Sequence, residues 1–305
     1  MQPAPHSSPP APSCPSSADW LQVNIDRRRF IQGAGLTAAA LFFFPGAALA
    51  APKSKAAKAK FIEKFSPPRD FALNPIRPVL DSWRLPQGAI PAEGPVTLDF
   101  DLVLWDRTGG AKPQPVASMT AGHLRIVRKP DAGGSIRYAM KRDLAHIACE
   151  SEITCRAGAG GIEQVESWSA RWPGIAQNGS VRGREIVVIT NKVERRLSLW
   201  LPDAAPAPLI ADASLYCNPA LPERLAAACA GGKTFTRLDQ SMSLRENQCL
   251  RRDAAVAAPW SAAVSLQSWL LTGSGIPPTH FLCDPEKRAL FNTAFAVSTA
   301  LHAIA

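Results

Sequence analysis

The stretch Val96–Leu104, VTLDFDLVL, decides the fold class. Val96, Leu98, Phe100, Leu102 and Leu104 alternate with Thr97, Asp99, Asp101 and Val103. A period of two puts the first set on one face and the second on the other, so the segment reads as a strand with one buried and one wet face. The same alternation returns at residues 122–128, 135–141, 146–155, 162–172, 184–190 and 193–201.

The separators are turn-formers. Asp131 with Gly133 and Gly134, the stretch Arg156–Gly161, Asn178-Gly179 and Asn191-Lys192 all suit hairpins between antiparallel neighbours. After residue 231 strands are expected again at 234–238, 242–251, 264–271, 279–283 and 289–297, with Gly273-Ser274-Gly275 as a turn. Between the two sets one helix is signed near 219–230. Asn218 can cap it, Pro219 or Pro222 suits the first turn, Leu221, Leu225 and Ala228 share a face, and Gly231 with Gly232 stop it. The expected fold is therefore mainly β: a curled antiparallel sheet, as half-barrel, barrel or sandwich, with one helical insertion.

Upstream of residue 96, Pro67, Pro68, Pro75, Pro78, Pro86, Pro91 and Pro95 forbid a long helix or central strand. The same segment holds Phe61, Phe65, Phe71, Leu73, Ile76, Val79, Leu80 and Trp83, too apolar for a free linker, so residues 61–95 are expected as an arm laid across the body. The resulting organisation is an extended leader and signal region at 1–50, a lysine-rich tether at 51–60, the arm at 61–95 and the β domain at 96–305.

Asp26–Ala51 reads DRRRFIQGAGLTAAALFFFPGAALAA. Arg27 and Arg28 are adjacent, Phe30 and Ile31 supply two apolar residues after them, and an alanine-rich apolar run ends in Ala48-Leu49-Ala50 before Ala51. This resembles a twin-arginine (Tat) export signal, whose recognition would rest on Arg27, Arg28, Phe30 and Ile31. The resemblance implies a Tat translocase and a signal peptidase as partners, cleavage after Ala50 between the small residues Ala48, Ala50 and Ala51, and a periplasmic or secreted mature chain. The alternative is a retained anchor flanked by Lys53, Lys55, Lys58 and Lys60.

The formal net charge is +9. Residues 1–50 hold three arginines against Asp19 and Asp26, and residues 51–60 add four lysines without an acid, leaving +4 for the remainder. That charge is scattered, which argues against a nucleic-acid interface. A lysine tether can also touch anionic headgroups transiently.

Chemistry-bearing residues are sparse. His123, His146, His280 and His302 show no metal-ligand spacing, and there is no Cys-x-x-Cys, so neither metal nor cofactor is expected. Gly273-Ser274-Gly275 lacks the context of a nucleophile elbow. No catalytic residue is assigned. Asp99 and Asp101 share one strand face roughly 7 Å apart, either as a functional carboxylate pair or as ordinary wet-face residues. Arg182, Arg184, Arg195, Arg196, Arg251 and Arg252 suit an anion groove or a solvated face.

Six cysteines follow residue 50. Cys149 and Cys155 lie about 20 Å apart on one strand, and Cys217 and Cys229 about 18 Å apart on a straight helix, both beyond disulfide reach. Cys249 with Cys283 remains as a disulfide candidate, with buried free thiols as the alternative.

Leu266–Phe291, LQSWLLTGSGIPPTHFLCDPEKRALF, together with the strand order and helical interruption, is similar to the lipoprotein-carrier half-barrels of the bacterial envelope (LolA/LolB-like). That resemblance implies a curled sheet cradling a lipid or other amphiphile beneath helices. The functional expectation is a non-catalytic envelope binding module for an apolar or amphiphilic ligand. The competing expectation is a periplasmic hydrolase with a site assembled from separate strands.

Overall fold

The computed structural model describes residues 73, 76–106, 114–145, 147–183, 185–198, 208–294 and 297–305. The signal residues Arg27, Arg28, Phe30, Ile31, Ala48, Ala50 and Ala51, the lysine tether, His146 and Arg184 lie outside them.

The alternating stretch forms β1 (Val96–Asp106), and seven strands follow it in a simple meander. These are β2 (Gln114–Pro130), β3 (Ser135–Leu144), β4 (Ile147–Ala157), β5 (Glu163–Trp172), β6 (Ile175–Arg182), β7 (Glu185–Thr190) and β8 (Val193–Ser198). Each pairs antiparallel with its predecessor. The second half begins with β9 (Leu209–Ala211), passes through helices α2 (Asp212–Cys217) and α3 (Leu221–Ala228), and returns to strands. Those strands are β10 (Phe235–Leu238), β11 (Leu244–Arg252), β12 (Val256–Ala258), β13 (Ser261–Thr272), β14 (Thr279–Cys283), β15 (Ala289–Thr293) and β16 (Val297–Ile304). A single helical turn, α1 (Arg77–Leu80), belongs to the arm.

The halves join where β1 pairs with β16, giving one sheet in the order β8-β7-β6-β5-β4-β3-β2-β1-β16-β15-β14-β13-β11-β10-β9, with β12 beside β13. All pairings are antiparallel except β9 with β10, which is parallel because α2 and α3 form the crossover between them. The sheet curls until β9 packs beside β5. They are not ladder partners among the described residues, so the curl is not closed.

The concave side follows from the pattern of β1. Leu98, Phe100 and Leu102 are buried, and their neighbours Asp99 and Asp101 face out. Inward residues of the next strands, Leu124, Ile126, Tyr138, Met140, Ile153 and Trp168, continue one core. Helix α2 fills that concavity: all six of its residues are buried, and it touches β2 and β3 of one half and β9 and β15 of the other. Its Tyr216 packs on Phe100 at 4.9 Å and on Phe281 at 5.6 Å between ring centroids. Helix α3 lies on β11, and its Arg224 Nη1 donates to the Gly161 carbonyl at 2.8 Å.

Several elements depart from the sequence expectations. Asn178-Gly179 is not a turn but the middle of β6; the chain reverses instead at Pro173-Gly174 and at Gly183, where both glycines have positive φ. Gly179 is required by its neighbour: a Cβ there would lie 2.1 Å from Cζ2 of Trp168, whose indole covers the glycine. Residues 289–297 form two strands rather than one, broken before β16. There is a second helix, α2, and Cys217 ends it rather than starting the helix ahead of Cys229.

Of the expected arm, residues 73 and 76–95 are described. Ile76, Val79, Trp83 and Ile90 are buried in the core. Two buried arginines hold its backbone, whose proline-rich segment cannot pair as a strand. Arg128 of β2 donates to the carbonyls of Pro91 (2.6 Å), Gly94 (2.8 Å), Ala92 (3.5 Å) and Cys217. Arg288 donates to those of Gly88 (2.6 Å) and Pro86 (3.0 Å), with its charge met by Asp284 at 2.6 Å. Each guanidinium supplies donors in several directions at once, which lets one side chain satisfy several carbonyls of an irregular segment.

Candidate functional site

The residues singled out in the sequence do not converge. Asp99 and Asp101 lie on the outer face, Asp99 beside an arginine and Asp101 beside two histidines. Asp99 takes a two-pronged contact from Arg125 at 2.7 and 3.0 Å. Asp101 is 3.2 Å from Nδ1 of His123, opposite it on β2, and 3.7 Å from Nδ1 of His302, which occupies a bulge in β16. Both histidines are largely exposed. Among the described residues no group of three or more His, Cys, Asp or Glu could hold a metal ion, and no helix is long and apolar enough to cross a membrane.

Among the described residues, Arg182 lies on β6 and Arg195 and Arg196 on β8 near one end of the sheet order, and Arg251 and Arg252 on β11 near the other. Arg196 pairs with Glu194 at 2.8 Å, and Arg252 donates to Gln267 at 2.6 Å. All cysteines of the described residues are free. Cys249 and Cys283 lie on strands separated by β13, opposite Thr272 and Gln267 respectively. Two strand spacings alone put them roughly 10 Å apart, beyond disulfide reach, so the geometry does not support that pairing.

His280 is the one histidine within reach of both a serine and an acid among the described residues. Its Nδ1 is 3.0 Å from Ser268 Oγ and 3.8 Å from Asp253 Oδ2. In a nucleophilic triad the serine and the acid engage opposite ring nitrogens. Here both face Nδ1, while Nε2 is buried without a partner among the described residues. Ser268 and His280 are themselves buried. Burial, only partly offset by Asp253, lowers the His280 pKa. Ser268 and His280 make a buried contact between β13 and β14 that lacks the arrangement of a nucleophilic triad.

A larger polar cluster surrounds α2. Asp212 and Arg237 are 3.1 Å apart and both buried, and the buried Asp239 is 2.7 Å from the half-buried Arg245. The Tyr216 hydroxyl accepts from Asn292 Nδ2 at 2.6 Å and Gln240 Nε2 at 2.8 Å. Burial pushes Asp212 up to about 6 against the opposing pull of Arg237. Burial acts the same way on Asp239, but Arg245, Arg237 and Ser241 outweigh it and its pKa falls. Arg142 points inward from β3 towards this cluster, and burial lowers its pKa. The cluster lies around α2 between the halves, with Asp212, Tyr216, Arg237, Asp239 and Asn292 buried and Arg142, Gln240 and Arg245 half-buried.

An accessible concavity lies elsewhere, where residues of the arm meet the turn between β12 and β13. A cleft of about 350 Å³ is lined by Leu73, Leu80, Asp81, Trp83, Pro259 and Trp260. Trp83 forms its floor: its indole Nε1 donates to the Leu301 carbonyl at 2.7 Å, and its ring packs on Phe291 at 4.9 Å. Trp260 stands against Trp83 at 5.1 Å between centroids and remains 36 % exposed. Asp81 is the single charged side chain of this lining among the described residues. The wall is rigid on one side and wet on the other, with aromatic faces available to a ligand. Sequence reasoning placed Trp83 in an apolar arm but had no means of joining it to Trp260.

Searches against protein-family models, curated proteins and solved structures found no match to this chain.

Proposed function

We propose that the protein is an exported envelope binding module, without catalytic activity, that seats an apolar or amphiphilic small molecule in the Trp83–Trp260 cleft. The observation that carries this reading is the exposed Trp260 packed at a tilt of 35° against Trp83 in a concavity of about 350 Å³. Its volume falls within the range of about 300–1,000 Å³ of small-molecule sites, and the side chains around it are leucine, proline and tryptophan with Asp81. Asp81 favours a ligand whose polar end is cationic or hydrogen-bond-donating. The concave face of the sheet, where the half-barrel resemblance would put the ligand, is packed against α2 and α3, which moves the proposed seat to the arm. Export rests on Asp26–Ala51, with the twin-arginine translocase and a signal peptidase as partners.

The test uses the chain recovered from the envelope fraction of a bacterial host, with its amino terminus at Ala51. Titration with dodecylamine and with dodecanoate, followed by tryptophan fluorescence, should give saturable binding that is tighter for the amine. Trp260→Ala should abolish saturation. Equal, unsaturable responses in the parent chain and in Trp260→Ala would overturn the ligand reading.

A further inference from the structure

Three large hydrophobic side chains are exposed among the described residues: Val193 at 62 %, Ile175 at 44 % and Trp260 at 36 %. Trp260 belongs to the cleft. The other two meet at one rim of the sheet. Trp172 and Ile175 are the register pair that closes the β5–β6 hairpin around Pro173-Gly174, and Thr190 and Val193 close the β7–β8 hairpin around Asn191-Lys192. Gln177 stands opposite Thr190 in the intervening β6–β7 pair. Because side chains alternate along each strand, Trp172, Ile175, Thr190 and Val193 fall on one face of the sheet. Two strand spacings put Ile175 and Val193 roughly 10 Å apart.

The two turns are tied into one platform. The Asn191 side chain accepts from the Ala176 N–H at 2.8 Å and donates to the Gly174 carbonyl at 3.1 Å, and the Asn191 backbone N–H donates to the Ala176 carbonyl at 2.9 Å. Asn191 and Lys192 have φ of +47° and +71°, both positive as in a type I′ turn. Glycine usually takes the second place of such a turn; lysine there holds a charge at the tip at a conformational cost. Cations are in surplus around the rim. Glu194 is taken by Arg196 at 2.8 Å, and Glu150, opposite Arg171, by Lys141 at 3.2 Å. Arg171 and Lys192 have no ion-pair partner among the described residues.

We infer that this rim is a membrane-docking edge: Trp172, Ile175 and Val193 enter the interface of a bilayer carrying anionic lipid, and Arg171 and Lys192 bind its phosphate groups. Strands β6–β8 continue the sheet past β5, where its curl meets β9, so the rim belongs to the outlying end of the sheet. A specific protein interface buries about 800 Å² on each partner, which three side chains on two adjacent turns cannot supply. A bilayer accepts a narrow ridge, because its lipids move aside for it. Tryptophan suits the boundary between headgroups and acyl chains, and basic residues beside it are drawn to the negative surface. The rim is independent of the cleft and of what the cleft binds.

The test is hydrogen exchange of the full chain, read by mass spectrometry on peptides spanning 172–176 and 190–194, with vesicles of phosphatidylcholine alone or mixed with phosphatidylglycerol. The amino-terminal apolar segment and the lysine tether are the same in every variant, and their own attraction to vesicles does not protect these peptides. Mixed vesicles should slow exchange at both turns and leave residues 182–185, roughly 23 Å away at the far end of β6, unchanged. Lys192→Gln should raise the lipid concentration for half-maximal slowing about fivefold; Arg182→Gln, the same loss of charge at the far end, should not. Ile175→Ser combined with Val193→Ser should abolish the slowing while the urea midpoint is kept, since both sites are exposed. Equal exchange at the turns with and without mixed vesicles would overturn the inference. So would slowing that is as strong with phosphatidylcholine alone, or that grows with protein concentration in the absence of vesicles, which would mark the rim as a contact between copies.

Discussion

Replacing Asp212 by asparagine tests whether the polar cluster around α2 is as sealed as its burial indicates. The Asp212 carboxyl titrates at about 6 in the fold against an ordinary value of 3.8. A carboxyl with a raised folded pKa binds its proton more tightly in the native state, so its contribution favours folding at low pH and is lost as pH rises through the folded value. The displacement corresponds to about 3 kcal/mol between about pH 3.5 and pH 7. Asparagine cannot titrate, so the variant lacks this component of the pH dependence.

The comparison must be between slopes, because Asp212→Asn also leaves the buried Arg237 with less compensation at neutral pH. Other groups, among them His280 with its lowered pKa, titrate in the same window but are common to both proteins and cancel. Urea unfolding at several pH values, read by tryptophan fluorescence, gives the required difference. The stability of the variant relative to the parent should rise by about 3 kcal/mol from about pH 3.5 to pH 7. Profiles that stay parallel within about 0.5 kcal/mol would show that Asp212 is hydrated or fully compensated by Arg237, and the argument from burial would fail.

Gly179→Ala should destabilise by about 2–4 kcal/mol, since the new methyl must displace the buried Trp168 indole and disturb its bond to Gln177. Gly133→Ala, where a Cβ meets nothing within 4 Å, is the control; equal unfolding midpoints for the two variants would remove the steric account. Arg128→Leu should cost about 3–5 kcal/mol by stranding four carbonyl groups, and limited trypsin digestion should cut after Arg84 faster than in the parent. An unchanged cleavage rate would mean that the arm is held by its apolar contacts alone.

The alternation at residues 96–104 made the curled sheet legible, because one wet face and one dry face leave a simple period in the sequence. Where both faces are covered that signal vanishes. Ser298, Thr299, Ala300 and Leu301 are all buried, so no period of two separates β16 from β15 in the sequence. The same cause hid α2: a helix buried on every side shows no apolar stripe. Asn178-Gly179 misled for a different reason, since the dipeptide suits a tight turn but the glycine serves a tryptophan across the strand.

The cleft was half legible. Trp83 stood out as an apolar residue among prolines, but its partner Trp260 is supplied by a hairpin that only the folded sheet brings near. The outward placement of Asp99 and Asp101 was readable, and so was the large separation of Cys149 and Cys155.

The position of β16 sets an order of events. It sits between β1 and β15, at the seam of the two halves, and Thr97 exchanges backbone hydrogen bonds with Ala305 at 2.7 and 2.9 Å. The eight-strand meander from β1 can form while the chain is still emerging from the ribosome, since its pairings are between neighbours in sequence. Its β1 edge, however, stays unpaired until residues 297–304 are free to reach it. During that interval the nascent chain carries an open strand edge and an unfinished core, so the emergence of residues 297–304, not the synthesis of any earlier segment, is the step after which the sheet becomes continuous.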